Sequence, residues 1–281
     1  MICFEHVSKQ LGRFRMNDIT FSLPKGYIMG VVGPNGAGKT SIFHLITGLY
    51  TPDNGAILIN QRSYKENEAA IKDEIGFVFS EGLFNGGLSL VANASLYGKY
   101  YSNYSKELFN TYCRRFGLLA EKKLKKCSKG EKLKFQLAFA LSHQPKLLVL
   151  DEPTASFDPE FRTEFLKCIT QFVADGEHSV IMATHLMSDL ERIADYITYV
   201  DNGKIIFSME QERLKSMYRM VSGEEYKINL LEKQDILYKE SGKYATKALV
   251  RHHGYSSYDQ EVVAEIPTLE ELMYFMMRGE K

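Results

Sequence analysis

The sequence predicts an α/β fold: parallel central strands, an antiparallel layer before them, a helical insertion within them and a small α+β extension after them. Three observations carry that expectation. The stretch GYIMGVVGPNGAGKTSIFHLITGLY, residues 26–50, reads as a buried strand, a glycine loop and a helix. A second apolar run, Leu147 to Leu150, ends in two adjacent acids, Asp151 and Glu152. A buried strand does not end in two carboxylates unless something there attracts negative charge. Elsewhere, short alternating runs such as ITFSLP mark strands with one wet face.

Taken in order, residues 1–80 form the antiparallel layer wrapped around the first buried strand. Within it, GAILIN follows the turn Asp53-Asn54-Gly55. In the helix after the glycine loop, Ile42, Leu45, Ile46 and Leu49 fall at i, i+3, i+4 and i+7, the spacing of a core-facing stripe. Residues 82–145 read as a mostly helical insertion. Residues 146–208 return to the core and close with the hairpin YVDNGKIIF around Asn202-Gly203. Asp158 before Pro159 is an N-cap followed by proline at the first helical position. Leu166, Ile169, Phe172 and Val173 give that helix its buried stripe. Residues 209–281 stand apart as an extension. Its end, VVAEIPTLEELMYFMMRGEK, predicts a strand and then a helix capped by Thr268 with Glu271 at capping-box spacing. Leu269, Leu272, Met273 and Met276 form one apolar face of that helix.

Composition narrows the class. The chain has 281 residues, 44% of them hydrophobic, enough for a sizeable core. Its formal net charge of zero argues against a nucleic-acid coat. Cys3, Cys113, Cys127 and Cys168 show no CxxC spacing, which suggests reduced thiols rather than a disulfide or zinc framework. The start MICFEHVSKQ lacks the basic-then-apolar layout of a signal peptide. No apolar run approaches the ~18 residues of a membrane span. The lysines crowding residues 122–134 read as a solvated helical face or a patch near phosphates or an anionic membrane.

The glycine loop carries chemistry. Gly33, Pro34, Asn35, Gly36, Ala37, Gly38, Lys39 and Thr40 fit G-x-x-x-x-G-K-[ST], the phosphate-binding loop of P-loop NTPases. Glycines let consecutive backbone N–H groups approach phosphate oxygens, and the following helix aims its positive end at the same anion. Lys39 supplies a point charge to the β- and γ-phosphates, the Thr40 hydroxyl can ligate Mg²⁺, and Ser41 can support a phosphate. The expected ligand is ATP with Mg²⁺. The two acids gain a purpose beside such a loop: Asp151 holds the Mg²⁺, directly or through water, and Glu152 orients or deprotonates the attacking water.

The stretch CSKGEKLKFQLAFALSHQPKLLVLDEPTASFDPE, residues 127–160, resembles the ATP-binding cassette family, whose LSGGQ-like signature precedes an LDEPT strand. Ser128 and Gly130 match that signature; Cys127, Lys129 and Glu131 depart from it. Ser128 with Glu131 also reads as a plain capping box. Thr184 and His185 match the family's switch histidine, and Ala155 to Asp158 its D-loop, with Phe157 for the usual leucine. The resemblance covers roughly residues 2–208 and implies that ATP lies between Lys39 of one chain and Ser128 and Gly130 of another, with Asp158 also among the nucleotide-binding residues. Two departures stand out. Where the family has a glutamine after an IGYVP-like strand, Ile75 to Phe79 run into Ser80 and Glu81, and Ser80 or Glu81 is the candidate replacement; Ser80 joins Thr40 and Asp151 as a candidate Mg²⁺ ligand. Leu11 falls where the adenine-stacking tyrosine is common. Phe14 is the nearest aromatic and is equally suited to core packing.

The extension resembles, more weakly, those of bacterial cassette ATPases paired with a separate permease. The resemblance therefore implies the ATPase subunit of a two-component exporter of a peptide, antibiotic or lipid-like substrate. It would act as a dimer of itself or with a related subunit, at the cytoplasmic face of the membrane, bound to a transmembrane permease and to no nucleic acid. The alternative is a soluble family member acting in translation or DNA repair; the paired cassettes or coiled-coil arms of such proteins are not visible here. The permease is expected to dock on EGLFNGGLSLVANAS, residues 81–95, whose Leu83, Phe84, Leu88 and Leu90 lie among glycines.

Overall fold

The computed structural model describes residues 1–79, 84–242, 245–252 and 262–279. They divide into two compact units, Met1–Leu186 with Ile193–Ser208, and Met187–Arg192 with Met209–Lys281.

In the first unit, β1 (Ile2–Leu11) and β2 (Phe14–Leu23) form a hairpin that buries Phe4, Val7, Met16 and Ile19. β3 (Ile28–Val32) follows, buried at every residue, which explains its unbroken apolar run. The phosphate loop leads into α1 (Lys39–Ile46), then β4 (Asn54–Ile59), β5 (Arg62–Ser63), α2 (Tyr64–Asp73) and β6 (Ile75–Val78). The helical insertion contains α3 (Leu90–Gly98), α4 (Lys106–Arg115) and α5 (Lys129–Ser142). The core resumes with β7 (Leu147–Asp151), α6 (Pro159–Val173) and β8 (Ser179–Ala183). After α7 (Met187–Ile193) it closes with β9 (Tyr196–Asp201) and β10 (Lys204–Glu210).

A four-stranded antiparallel sheet runs β2-β1-β4-β5, and a six-stranded sheet runs β10-β9-β3-β8-β7-β6. β9-β3-β8-β7-β6 is parallel throughout. Phe4, Phe21, Ile42, Phe43, Val149 and Ile181 share one core, so α1 is sandwiched between the two sheets. Asn202 and Gly203 both have positive φ, 44° and 71°, as the tight turn between β9 and β10 requires.

Two expected stripes are redrawn. Leu49 is 59% exposed, because the helix ends before it and Gly48, at φ 71°, turns the chain away. In α6, Phe161, Phe165 and Cys168 are buried with Leu166 and Ile169, whereas Phe172 and Val173 are only half-buried. The buried arc is therefore rotated toward the helix start. The Asp158 cap is present, its side chain accepting from Phe161 N–H at 2.8 Å.

In the second unit, α8 (Gln211–Ser216), β11 (Tyr218–Gly223), α9 (Glu225–Ile228), β12 (Ile236–Ser241), β13 (Thr246–Arg251), β14 (Val263–Glu265) and α10 (Leu269–Gly279) follow in order. The sheet is antiparallel, β12-β13-β11-β14. The apolar face of α10 is buried, with Phe275 added to the expected four residues, and Phe275 packs on Tyr238. Thr268 and Glu271 form the capping box. This unit also takes in most of α7: Glu191 binds Lys215 Nζ at 2.8 Å and accepts from Leu269 N–H at 3.3 Å.

Candidate functional site

The loop between β3 and α1 is shaped by positive φ at Gly33, Gly36 and Gly38, 149°, 79° and 114°. At Gly33 no side chain is possible, since a Cβ would lie 2.0 Å from the Val200 carbonyl oxygen. Gly38 is the N-cap of α1 and offers no side-chain acceptor, and the first turn holds no acid. The helix start thus presents unsatisfied N–H donors and its positive dipole end. The Lys39 ammonium donates to the carbonyls of Gly33 and Pro34 at 2.8 and 3.1 Å. Burial pushes it below the usual lysine range, against the pull of Glu152 and Asp151.

The acids at the end of β7 lie beside this loop. Thr40 Oγ1 donates to Asp151 Oδ2 at 2.8 Å. Asp151 is 6% exposed, and burial raises its carboxyl above the ordinary range despite Thr40 and Lys39. Glu152 has φ 50° and is held there by its N–H to the Ala183 carbonyl at 2.9 Å, so β8 sets its direction. Glu152 Oε2 accepts from the His185 N–H at 3.2 Å. Oε1 lies 3.2 Å from His185 Nε2 yet is buried without an aligned hydrogen bond. Burial also raises this carboxyl, opposed by His185.

One cavity of about 300 Å³ brings together Phe14, Asn35, Gly36, Gly38, Lys39, Thr40, Ser41, Asp151, Glu152 and His185. Phe14 lies over the loop; a Cβ on Gly38 would come within 3.0 Å of its ring. Ser128, Gly130 and Asp158 do not line this cavity. Ser128 caps α5, in a reciprocal box with Glu131. Glu131 is held low by Lys122, whose ammonium sits 2.8 Å from both carboxylate oxygens, and by the Ser128 N–H. Gly130 packs so closely that a Cβ would stand 2.7 Å from the Ser156 carbonyl, and Lys134 lies 3.6 Å from Asp158. Ser80 and Glu81 lie outside the described residues. The sequence reading missed Ala183 and Val200, whose backbone carbonyls shape the site, since a backbone role leaves no side-chain signal.

A glycine-lined helix start beside a strand-end acid pair defines a nucleotide-binding domain of the phosphate-loop class. Comparison with known families matches residues 16–155 to the ABC transporter family. The linearmycin resistance ATP-binding protein LnrL of Bacillus subtilis (strain 168) is 32% identical over 212 residues, 73% of this chain and 68% of its own. The bacitracin transport ATP-binding protein BcrA of Enterococcus faecalis is 29% identical over 252 residues, 87% of this chain and 76% of its own. Among solved structures, a dimeric ATP-binding cassette in a post-hydrolysis state, bound to ADP and Pi, superposes with TM-score 0.68 at 20% identity, covering 75% of this chain and 98% of that one. The chain belongs to the ABC transporter family.

Proposed function

We propose that this chain is the ATP-hydrolysing subunit of an exporter, working as a dimer beneath a separate transmembrane permease. One observation carries the reading: the phosphate loop and the acids converge on one cavity that Ser128 and Gly130 of the same chain do not reach. A half-site of this kind is completed by the α5 start of a second copy or of a related subunit.

The residues fit the ligand chemistry. Lys39 is already surrounded by loop carbonyls and has hydrogen-bonding capacity for the β- and γ-phosphates. Thr40 and Asp151, in contact, would hold Mg²⁺, whose preference for oxygen ligands the nucleotide's phosphates would help to meet. Bound Mg²⁺ would neutralise charge on the phosphates. Ser41 supports a phosphate and Phe14 stacks on adenine. Glu152 is the general base: its Oε1 has free acceptor capacity, and its raised pKa brings it nearer the working pH. His185 holds Glu152 and senses the γ-phosphate. Asp158 is a further candidate nucleotide contact, and Ser80 remains a third candidate Mg²⁺ ligand.

Among the described residues no helix is long and apolar enough to cross a membrane. In the proposed assembly the permease holds the chain at the cytoplasmic face. Its docking surface is a groove of about 310 Å³ lined by Leu49, Phe77, Phe79, Phe84, Tyr97 and Tyr100. Of the segment 81–95, Leu90 is buried and Leu88 half-buried, so they serve local packing; Leu83 lies outside the described residues.

Mixing decides the composite site. Lys39→Ala and Ser128→Arg chains are each inactive as homodimers, and together regain ATP hydrolysis from one intact site. Mixed dimers that form but stay inactive overturn the reading.

A further inference from the structure

α5 packs along β6, and at the end of the strand one side chain of α5 binds the strand's backbone. β6 is the edge strand of the six-stranded sheet, and Phe79 follows its last residue. Both backbone polar groups of Phe79 are taken by Gln136: its Oε1 accepts from the Phe79 N–H at 3.0 Å, and its Nε2 donates to the Phe79 carbonyl at 2.9 Å. Gln136 is 4% exposed and Phe79 5%. A carboxamide is the neutral side chain that offers donor and acceptor side by side, so it completes a buried strand edge in a single orientation. The Phe79 ring meanwhile packs edge-on against His44 of α1, centroids 5.4 Å apart. Phe79 thus touches the phosphate-loop helix with its ring and α5 with its backbone. Phe135 and Phe139, flanking Gln136 on α5, both pack on Phe84.

An apolar residue at 136 would fill the same space, but would strand two buried backbone groups. Such groups are costly when unpaired, and an apolar contact would let α5 slide on β6 where the bidentate pair holds it in register. Ser128, the helix cap, stands about two turns before Gln136 on the same rod.

We propose that Gln136 is a positioning residue that fixes α5 against the end of β6, and so sets where the Ser128 end of α5 stands in the closed dimer. The inference rests on the reading of Ser128 as the group that meets the γ-phosphate of the opposite chain. It predicts that loosening the joint misplaces Ser128 in the closed dimer while leaving the nucleotide's own pocket intact.

The test uses the full chain and two substitutions. Gln136→Met keeps the volume and loses both bonds. Gln136→Glu restores both when its carboxyl is neutral, the form that burial favours. For Gln136→Met, kcat for ATP hydrolysis is expected to fall about 10-fold, the worth of two ordinary hydrogen bonds. Apparent KM for ATP and affinity for ADP, which lacks the γ-phosphate, are expected to stay within about twofold, since each depends on α1 and the loop. Gln136→Glu is expected to recover most of the lost kcat. Should Gln136→Met be obtained only unfolded, Gln136→Glu is compared with wild type alone, and supports the joint if it retains kcat. Unchanged kcat in Gln136→Met overturns the proposal, as does a fall in kcat matched by an equal loss of ADP affinity. A wild-type chain that does not hydrolyse ATP overturns instead the functional reading on which the joint depends.

Discussion

Two helices of the first unit begin in opposite ways. α1 starts at Gly38, with no side-chain cap and with a left-handed glycine that opens its N–H groups to the cavity. α5 starts at Ser128 in a complete capping box, and Lys122 neutralises the capping glutamate. The first helix end has unmet hydrogen-bonding demand that an anion satisfies. The second is self-sufficient; in the proposed dimer the Ser128 hydroxyl can keep accepting from the Glu131 N–H while donating its own proton to a phosphate. That cap is worth about 1 kcal/mol. Under the proposed reading, the contrast separates the half of the site built to bind alone from the half that binds only a partner's nucleotide.

The contrast can be broken first at the acids. Glu152→Gln is expected to retain ATP binding and to lower turnover by about 10²–10⁴. It is also expected to raise thermal stability at neutral pH. Burial lifts the folded pKa of Glu152 above the unfolded one, so its ionised form opposes folding at any pH above the folded value. The opposition fades as pH falls through the folded pKa toward the unfolded one, so the variant's advantage should shrink on acidification. Melting curves at pH 8 and pH 5 check the sign, and near-normal hydrolysis by the variant removes the assigned base.

The loop tests the uncapped end. Gly33→Ala drives a Cβ into the Val200 carbonyl and is expected to destabilise the chain by about 3 kcal/mol or more. Gly36→Ala meets nothing within 4 Å and suffers only its left-handed φ, about 1 kcal/mol. Equal losses in denaturation midpoint would show that Val200 does not fix the loop.

Phe84→Ala sharpens the comparison away from the nucleotide. A loss of about 2 kcal/mol in permease affinity is expected if the ring is a buried anchor. ATP hydrolysis by the isolated subunit should change little. Unchanged co-purification with the permease moves the docking surface elsewhere.

The smallest effect belongs to the capped end. Glu131→Ala removes half the capping box and the Lys122 pair, and about 1 kcal/mol of stability should follow. The Lys122 hydrogen bond lowers the folded pKa of Glu131, so its contribution is present above the unfolded pKa and is lost as pH falls through the folded one. A variant whose deficit is the same at pH 7 and pH 3 would contradict that account.

Much of this was legible because it is local. Glycines at 33, 36 and 38, the lysine and threonine after them, the acids after Leu150, and the caps at Ser128, Asp158 and Thr268 are set by backbone sterics and short-range hydrogen bonding, which sequence spacing records. The apolar runs of β3 and β7 likewise declared strands buried on both faces. Leu49 shows the limit: its spacing fits the stripe of α1, but Gly48 ends the helix first, and periodicity cannot see a stop in advance of the turn that makes it. What the tertiary structure alone decided are meetings between distant residues. Ala183 holds Glu152 in a left-handed conformation, Val200 forbids a side chain at Gly33, α7 joins the second unit through Glu191, and Gln136 clasps Phe79 across 57 positions of chain. All four run wholly or partly through backbone atoms, which every residue possesses, so no letter of the sequence marks them. The packing of α5 on β6, the pairing of β7 with β8 and the pairing of β3 with β9 bring partners such as these within reach.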